Sequence, residues 1–280
     1  IRELSASGGA GYAIEFAGPA IDALPVEARL TLCNMTTELS AFTGLIAADQ
    51  KVLDYCVGRR YAPQGELWDQ AAQHWQSLHS DEGAVFDQEY SFEIGSLKPQ
   101  LSWGTSPQHC VDWDDAIPHA GDAPDASASA AWQRAQDYMG VTPGSQLSDY
   151  ALDAAFIGSC TNSRLSDLQL AAAYLERTGH KVAKGVTALC VPGSGQVKRA
   201  AEAEGLDDIF RSAGFEWREP GCSMCFFAGG ESFGKGVRVA STTNRNFEGR
   251  QGLGVRTHIA SPLTVVASAC AGHLVADTTA

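Results

Sequence analysis

The sequence lacks the features of a membrane or secreted protein. Although 44% of the 280 residues are hydrophobic, no apolar run approaches the ~20 residues of a membrane-spanning helix. Residues 1–5 contain neither the basic segment nor the apolar segment of a secretory signal peptide. The chain also begins without Met, which favours a processed or truncated chain. We therefore expect a globular protein with no membrane partner.

Positive charge is scarce as well. The 20 Lys and Arg residues are outnumbered by 33 Asp and Glu residues, which gives a formal net charge of −13. Binding to nucleic acid phosphates requires a concentrated basic surface. The charge balance therefore argues against nucleic acid as a partner.

Cysteine is present, but not in the dense arrangement of a disulfide scaffold. The eight cysteines are spread over 280 residues, as is usual in a reducing compartment, so we expect a cytoplasmic protein. Cys222 and Cys225 form a C-x-x-C in a Gly-containing turn, and Cys160 lies 62 positions before Cys222 in a similar polar loop. A C-x-x-C alone is compatible with redox chemistry, zinc or an iron–sulfur cluster. The third thiol in a comparable setting favours a metal centre.

Strand and helix patterns alternate in the second half of the chain. Strands are predicted at 150–157, 186–191, 215–217 and 237–240, and helices at 131–139, 164–177, 196–204, 206–212 and 262–271. This alternation predicts an α/β fold whose parallel sheet is covered on both faces.

The first half is less regular. An amphipathic helix is predicted within residues 64–80 and a strand over 90–94, followed by a domain junction that divides the chain into 1–94 and 95–280. Residues 115–131 are rich in Ala, Asp, Pro and Ser, which predicts a surface loop.

The candidate functional residues follow predicted strands. Cys160, Cys222, Cys225 and Arg245 each come shortly after a strand. Ligands of open α/β sheets bind beyond the carboxyl ends of the strands. We therefore expect these residues to meet at one edge of the sheet.

Three thiolates suit either of two metal centres. One is zinc with a fourth protein ligand, and the other is an iron–sulfur cluster held by three cysteines. Cys190 and Cys270 are possible fourth ligands, but their places in a predicted strand and an apolar helix favour burial. Without a fourth ligand, one iron would be open to polarise a hydroxyl or carboxylate. The spacing alone leaves an iron–sulfur centre and a zinc-stabilised structural module both possible, as well as thiols that bind no metal.

Cations follow in residues 244–252. Arg245 and Arg250 lie in this Gly-containing loop, and Arg256 and His258 come soon after. Such a cluster is suited to capture of carboxylates, although a solvated basic loop is the simpler alternative. Next to a Lewis-acidic iron, it indicates a small di- or tricarboxylic acid as substrate.

Glu38 is a candidate in the first half. It follows Asn34 by four positions and precedes the mostly apolar residues 39–46. An ordinary helix with a solvated Glu is the more common explanation of this pattern, but the apolar neighbours make Glu38 a candidate for burial and function.

Three segments carry a resemblance to a known family. Residues 156–164, 215–225 and 244–252 resemble the cluster-binding and substrate-binding motifs of the aconitase superfamily. Within it, the chain is most similar to large subunits of 3-isopropylmalate dehydratases, almost from end to end. The resemblance implies aconitase-like α/β/α layers with parallel-rich sheets in two subdomains.

The resemblance also implies roles for the residues. Cys160, Cys222 and Cys225 would hold a 4Fe–4S cluster with one iron open to substrate. Asparagine side chains would form hydrogen bonds around the cluster, namely those of Asn34, Asn162 and Asn244. Arg245 and Arg250 would bind substrate carboxylates, and Glu38 would act beside the iron-bound hydroxyl. The implied reaction is the isomerisation of 2-isopropylmalate to 3-isopropylmalate, by dehydration and rehydration, in leucine biosynthesis.

The sequence departs from the family pattern in three ways. It has no Gly-Asp-Ser-His-type motif of the family's first domain, so we expect a C-terminal part of a longer subunit. It has no swivelling domain, which implies a heteromer with a separate small subunit, and we expect this chain alone to be inactive. Phe42 occupies a region where relatives carry an Arg, which leaves methylmalate, homocitrate or citrate as alternative substrates.

Overall fold

The computed structural model describes residues 1–227 and 230–277. They fall into two compact units, Gly9–Leu97 and a larger unit of Ile1–Gly8 with Lys98–Ala280. No helix in these described ranges is long and apolar enough to cross a membrane.

The Gly9–Leu97 unit contains a small parallel sheet and four described helices. The sheet pairs β1 (Ala13–Glu15) with β2 (Thr43–Leu45), and the helices are α1 (Pro19–Ala23), α2 (Val26–Met35), α3 (Gln50–Cys56) and α4 (Glu66–Gln76). Gly44 lets α2 approach β2 closely, because a Cβ at this position would lie 2.9 Å from the Cα of Cys33.

One of two predictions for this unit is confirmed. The amphipathic helix is α4, and its Trp68 and Trp75 are half-buried and meet edge to face. The strand predicted over 90–94 is wrong, because this segment has no regular structure and pairs with no described strand. Its alternating apolar side chains point to solvent, with Tyr90 58%, Phe92 56% and Ile94 50% exposed.

The larger unit begins with an antiparallel pair and continues into a parallel sheet. The pair is β3 (Gln100–Ser102) with β4 (Cys110–Asp112). The described part of the sheet has five strands in the order β7-β6-β5-β8-β9. They are β5 (Ala154–Ile157), β6 (Thr187–Cys190), β7 (Glu216–Trp217), β8 (Arg238–Ser241) and β9 (Arg256–Ile259). All neighbours are parallel, which confirms the predicted α/β class.

The helices of this unit also match the predicted alternation. They are α5 (Ala126–Met139), α6 (Leu165–Thr178), α7 (Gly195–Ala203), α8 (Leu206–Ala213) and α9 (Pro262–Ala271). Gly179 ends α6 with φ 64°, a left-handed conformation that glycine adopts without strain.

One predicted boundary in this unit is wrong, and one strand was not predicted. The loop predicted over 115–131 ends earlier, because Asp125 accepts a hydrogen bond from the Ala128 amide (2.8 Å) and starts α5 at Ala126. Strand β9 was not predicted, so Arg256 and His258 belong to the sheet and not to a loop.

The two faces of the sheet are buried differently. Because strand side chains alternate, Ala155 and Ile157 pack in the large core with α5, α6, α8 and α9. Phe156 lies on the opposite face, where it is covered by Met224 and Cys225. The C-x-x-C turn is therefore part of the packed structure of the sheet.

Candidate metal centre at the carboxyl edge of the sheet

The strand order creates a crevice at the end of β5. The chain passes from β5 to β6 on one side, and β8 pairs with β5 on the other side. Loops that leave such neighbouring strands diverge, and this divergence is where open α/β sheets bind ligands. Cys160 follows β5 and Arg245 follows β8, so the topology places both at this point.

The loop that carries Cys160 is fastened to the loop after β8. The Gly158 amide donates to Thr242 Oγ1 (2.8 Å), and this hydroxyl donates to the Gly158 carbonyl (2.6 Å). Asn162 Nδ2 donates to the Thr242 carbonyl at 3.4 Å. Ser159, at φ 82°, turns the backbone so that it is itself buried while Cys160 is exposed.

The C-x-x-C turn lies over the central strands although β7 is at the edge of the sheet. Met224 and Cys225 are only 2% and 8% exposed and pack in one cluster with Phe156 of β5. The turn is closed by the Cys225 amide, which donates to the Cys222 carbonyl at 2.7 Å. Ser223 adopts φ 41°, and Cys222 is exposed.

Arg250 is built onto this turn. Its Nε donates to the Cys225 carbonyl at 2.6 Å, and its Nη2 lies 3.4 Å from Cys225 Sγ. The Phe227 amide donates to the Arg250 carbonyl at 2.9 Å. The guanidinium carbon lies 5.1 Å from the Phe226 ring centre and 5.4 Å from the Phe247 ring centre. These contacts orient a half-buried cation beside a predicted cluster ligand.

The other cations are placed differently. Arg245 is exposed and Asn244 is half-buried in the loop after β8. Arg256 Nε donates to the Tyr138 carbonyl at 3.3 Å. His258 is fully buried. The prediction that Arg256 and His258 join the guanidinium cluster is therefore wrong.

His258 belongs to a buried network. Its Nδ1 donates to the Ser102 carbonyl (2.6 Å), and its Nε2 accepts from Arg238 Nη1 (2.7 Å). This pairing requires the neutral imidazole with its proton on Nδ1. Burial, with the Arg238 guanidinium as a further cause, lowers the pKa of His258 to about 3. The network fastens β3 to β8 and β9.

The two cysteines predicted as possible fourth ligands, Cys190 and Cys270, are poor ligands. Cys190 is completely buried in β6, and burial raises the pKa of its thiol well above the ordinary value. Burial also raises the pKa of Cys270, half-buried in α9, to about 11. Because metals bind the thiolate, neither is a favourable fourth ligand.

The three candidate thiols come from two separate loops. Among residues 1–227 and 230–277, no three His, Cys, Asp or Glu side chains are grouped closely enough to hold a metal ion. A ready-made zinc site, with sulfurs about 3.8 Å apart, is therefore not formed by these residues. Cys160 and Cys222 are exposed thiols and Cys225 lies beside a cation, on two loops that both bond to the segment after β8. This arrangement is suited to a cluster that joins ligands from separate loops.

Glu38 and Asn34 lie in the Gly9–Leu97 unit. Glu38 is 6% exposed, and its Oε1 accepts from Thr37 Oγ1 at 3.3 Å, so its predicted burial is confirmed. Asn34 is exposed in the last turn of α2, whereas Glu38 is in the 3-10 turn Thr36–Leu39. Their spacing of four positions does not place them on one α-helical face, because α2 ends at Met35.

Two polar residues of the loop after β8, Asn246 and Gln251, were not recognised from the sequence as structural anchors. Asn246 and Gln251 are 1% and 0% exposed. Asn246 Nδ2 donates to Ser102 Oγ at 3.0 Å and to the Gly104 carbonyl at 2.5 Å. Both residues lie within the 244–252 motif, and the signal that could have revealed them is the presence of three side-chain amides beside Phe247 in a segment with two glycines.

Comparison with known proteins confirms the family resemblance and is consistent with the α/β fold. The aconitase family (aconitate hydratase) matches residues 1–272. A 3-isopropylmalate dehydratase large subunit from Cupriavidus necator is 60% identical over 260 residues, which cover 93% of this chain and 97% of that protein. The 3-isopropylmalate dehydratase large subunit 1 from Bradyrhizobium diazoefficiens is 54% identical over 274 residues, which cover 98% of this chain and 57% of that protein. This chain belongs to the aconitase family.

Proposed function

We propose that this chain is part of the large subunit of an iron–sulfur hydro-lyase that converts 2-isopropylmalate to 3-isopropylmalate by dehydration and rehydration, in leucine biosynthesis. Two relatives with 60% and 54% identity are named 3-isopropylmalate dehydratase large subunits. The main observation behind the proposal is the contact of Arg250 with the C-x-x-C turn, in which Arg250 Nε donates a 2.6 Å hydrogen bond to the Cys225 carbonyl. It joins the proposed carboxylate-binding residue to the proposed metal-binding turn in one local structure.

Cys160, Cys222 and Cys225 are the proposed ligands of a 4Fe–4S cluster. When bound by three thiolates, such a cluster supplies a Lewis-acidic iron that draws charge from a leaving hydroxyl. Asn162 donates to the backbone of the loop after β8, and its proposed role is to hold the Cys160 loop in place. Asn34 and Asn244 are the other asparagines proposed to act around the cluster.

Arg245 and Arg250 are the proposed carboxylate-binding residues. Removal of a proton next to a carboxylate builds negative charge on that carboxylate, and a fixed guanidinium stabilises the charge without reorganising. Arg250 is already oriented by Cys225, Phe226 and Phe247. Arg245 is exposed, so it remains accessible to a second carboxylate of the substrate.

Glu38 is the proposed catalytic carboxylate, which would hold a proton at the departing hydroxyl. Its 6% exposure supports this role, because a carboxylate shielded from water is well suited to proton transfer. We assign it from the motif resemblance, with residues 1–94 and 95–280 as the second and third domains of an aconitase-like subunit.

The proposed partner is a small subunit that carries the swivelling domain. The relatives are named as large subunits, and the chain covers 57% of the Bradyrhizobium diazoefficiens protein.

Phe42 is 81% exposed, with no cation in residues 39–46, so the proposal must be tested on several hydroxy acids.

An activity assay tests the proposal. The complete large subunit containing this chain is reconstituted anaerobically with the small subunit and given 2-isopropylmalate, methylmalate, homocitrate or citrate. We expect ultraviolet absorption from an alkene product with 2-isopropylmalate, and its loss in Cys222→Ser but not in Cys56→Ser, since Cys56 lies in α3. Turnover of another acid alone would contradict the substrate, and a colourless zinc protein without turnover would contradict the reaction class.

A further inference from the structure

We propose that Gln251 is a positioning residue that sets the geometry of the C-x-x-C turn by holding the Met224 carbonyl. This inference rests on the proposed function, because it assigns the turn to a metal cluster. Gln251 is completely buried and has no part in the chemistry described above. Its side chain contacts the backbone between the two cysteines of the turn.

The hydrogen bonds define the orientation of the Gln251 amide. Nε2 donates to the Met224 carbonyl at 2.7 Å and lies 3.4 Å from Ser241 Oγ, and Oε1 accepts from Thr257 Oγ1 at 2.8 Å. A carbonyl oxygen can only accept, so the amide nitrogen must face Met224. The oxygen then faces Thr257, whose hydroxyl must donate. These two bonds therefore allow only one orientation of the Gln251 amide.

The amide ties the turn to the rigid part of the sheet. Thr257 lies in β9 and Ser241 ends β8. Asn246 Nδ2 lies 3.3 Å from the Thr257 carbonyl and 3.0 Å from Ser102 Oγ. Gln251 is thus held by a buried network that reaches β3, and it transmits this fixed position to the turn.

The turn needs such an external support. Strand β7, which leads into it, has only two residues at the edge of the sheet. Ser223 adopts φ 41°, a conformation that a residue with a Cβ rarely adopts. Without the Gln251 amide, the Met224 carbonyl would lose this buried donor, and the turn would relax within the limits set by its other contacts. Relaxation would change the spacing of Cys222 and Cys225.

A matched residue separates positioning from ordinary stabilisation. Gln136 in α5 is 1% exposed, and its Nε2 donates to the Pro118 carbonyl at 2.8 Å. It therefore makes the same kind of buried bond to a loop carbonyl as Gln251 does, in a loop without candidate ligands. Gln251→Met and Gln136→Met remove the same donor at nearly the same volume.

The experiment uses the 280-residue chain in three variants: Gln251→Met, Gln136→Met and Thr257→Val. In the metal-free protein, the rate of capture by phenylarsine oxide, which bridges two neighbouring thiols, reports the spacing of Cys222 and Cys225. In the reconstituted protein, iron loss to a chelator and the EPR spectrum of the one-electron-reduced cluster report the ligand geometry. Thermal unfolding is measured for every variant.

We expect Gln251→Met to lose iron about tenfold faster than wild type, as removal of one buried hydrogen bond permits, with a changed EPR spectrum and a changed capture rate. Thr257→Val should change the rate of iron loss, the EPR spectrum and the capture rate in the same direction but by less, because the Gln251 amide keeps its hydrogen bond to the Met224 carbonyl. Gln136→Met should lower the unfolding temperature while leaving the three readouts at wild-type values.

Equal capture rates and equal iron loss in Gln251→Met and Gln136→Met would overturn the positioning role. Failure of the wild-type chain to take up iron and sulfide would instead overturn the proposed function. In that case the capture rates still decide whether Gln251 sets the geometry of the turn.

Discussion

Replacement of Arg250 by Lys is predicted to impair substrate binding without removing the positive charge. The change removes the Nε hydrogen bond to the Cys225 carbonyl and the planar stacking against Phe226 and Phe247. A hydrogen bond from a charged donor contributes roughly 1.5–3 kcal/mol, and an exposed cation–π contact about 0.5–1 kcal/mol. Arg250 is only half-buried, and Lys keeps part of the cation–π attraction. We therefore expect a loss of about 2 kcal/mol, which is about 30-fold in kcat/KM.

The assay is the steady-state rate of the reconstituted enzyme with 2-isopropylmalate, measured alongside the iron content. Arg134→Lys is the matched control, because Arg134 is 76% exposed and forms only a 3.6 Å ion pair with Glu248. It should keep wild-type kcat/KM. The loss in Arg250→Lys should lie mainly in KM if Arg250 binds the ground-state carboxylate, and in kcat if the contact strengthens as charge develops.

A wild-type kcat/KM in Arg250→Lys, at normal iron content, would refute the reasoning. It would mean that charge alone is sufficient at this position and that the orientation by Cys225 and the two rings has no function. A loss of iron in Arg250→Lys but not in Arg134→Lys would assign the contact to cluster retention, and this outcome would also contradict a role in substrate binding.

Three further predictions concern stability. The pKa of His258 is lowered to about 3 in the folded protein and is near 6.5 in the unfolded chain, so the contribution of His258 to the free energy of unfolding should fall by about 1.4 kcal/mol per unit as the pH is lowered from 6.5 to about 3. Urea unfolding across this range should show a steeper loss of stability for wild type than for His258→Gln, and identical slopes would contradict the prediction. Gly44→Ala should destabilise the Gly9–Leu97 unit by roughly 1–3 kcal/mol, because the added Cβ would lie 2.9 Å from the Cys33 Cα. Gly95→Ala is the control, because a Cβ added at Gly95 would have no atom within 4 Å. Equal amide hydrogen exchange in the two variants would refute the close approach of α2 to β2. Asp125→Ala should lower the stability of α5 by about 1 kcal/mol, because it removes the N-cap of this helix. Amide hydrogen exchange at the start of α5 should become faster, and unchanged exchange would contradict the prediction.

The regular elements of the larger unit were predictable because local and tertiary preferences agree. All four residues of β5 are apolar and buried, and α6 ends at a glycine in the left-handed region. A short apolar strand between helices has few alternatives in an α/β fold. The start of α5 was missed because composition suggested a loop, whereas a single capping carboxylate at Asp125 decides the boundary.

Strand β9 was missed because its sequence is polar. Arg256, Thr257 and His258 alternate without an apolar pattern, yet Thr257 and His258 are 2% and 0% exposed. Their burial depends on partners far along the chain, such as Arg238 and Ser102. The opposite error occurred at residues 90–94, where the alternation of a strand is present but no described strand lies alongside to pair with it.

Some features of the candidate site could be predicted from the sequence, and others could not. The placement of Cys160, Cys222 and Arg245 after strands could be read from the sequence, because parallel strands end at one edge of the sheet. The burial of Glu38 could be inferred from its apolar neighbours. The anchoring of the turn by Gln251 could not, because it depends on a hydrogen bond across 27 positions. Local patterns carry no information about such pairs.

Metal analysis of the anaerobically reconstituted chain tests the central claim most directly. The account predicts iron and acid-labile sulfide in equal amounts, a brown colour, and the loss of both in Cys160→Ser and Cys225→Ser but not in Cys270→Ser. Stoichiometric zinc without sulfide, or iron uptake that survives the removal of Cys160, would contradict it.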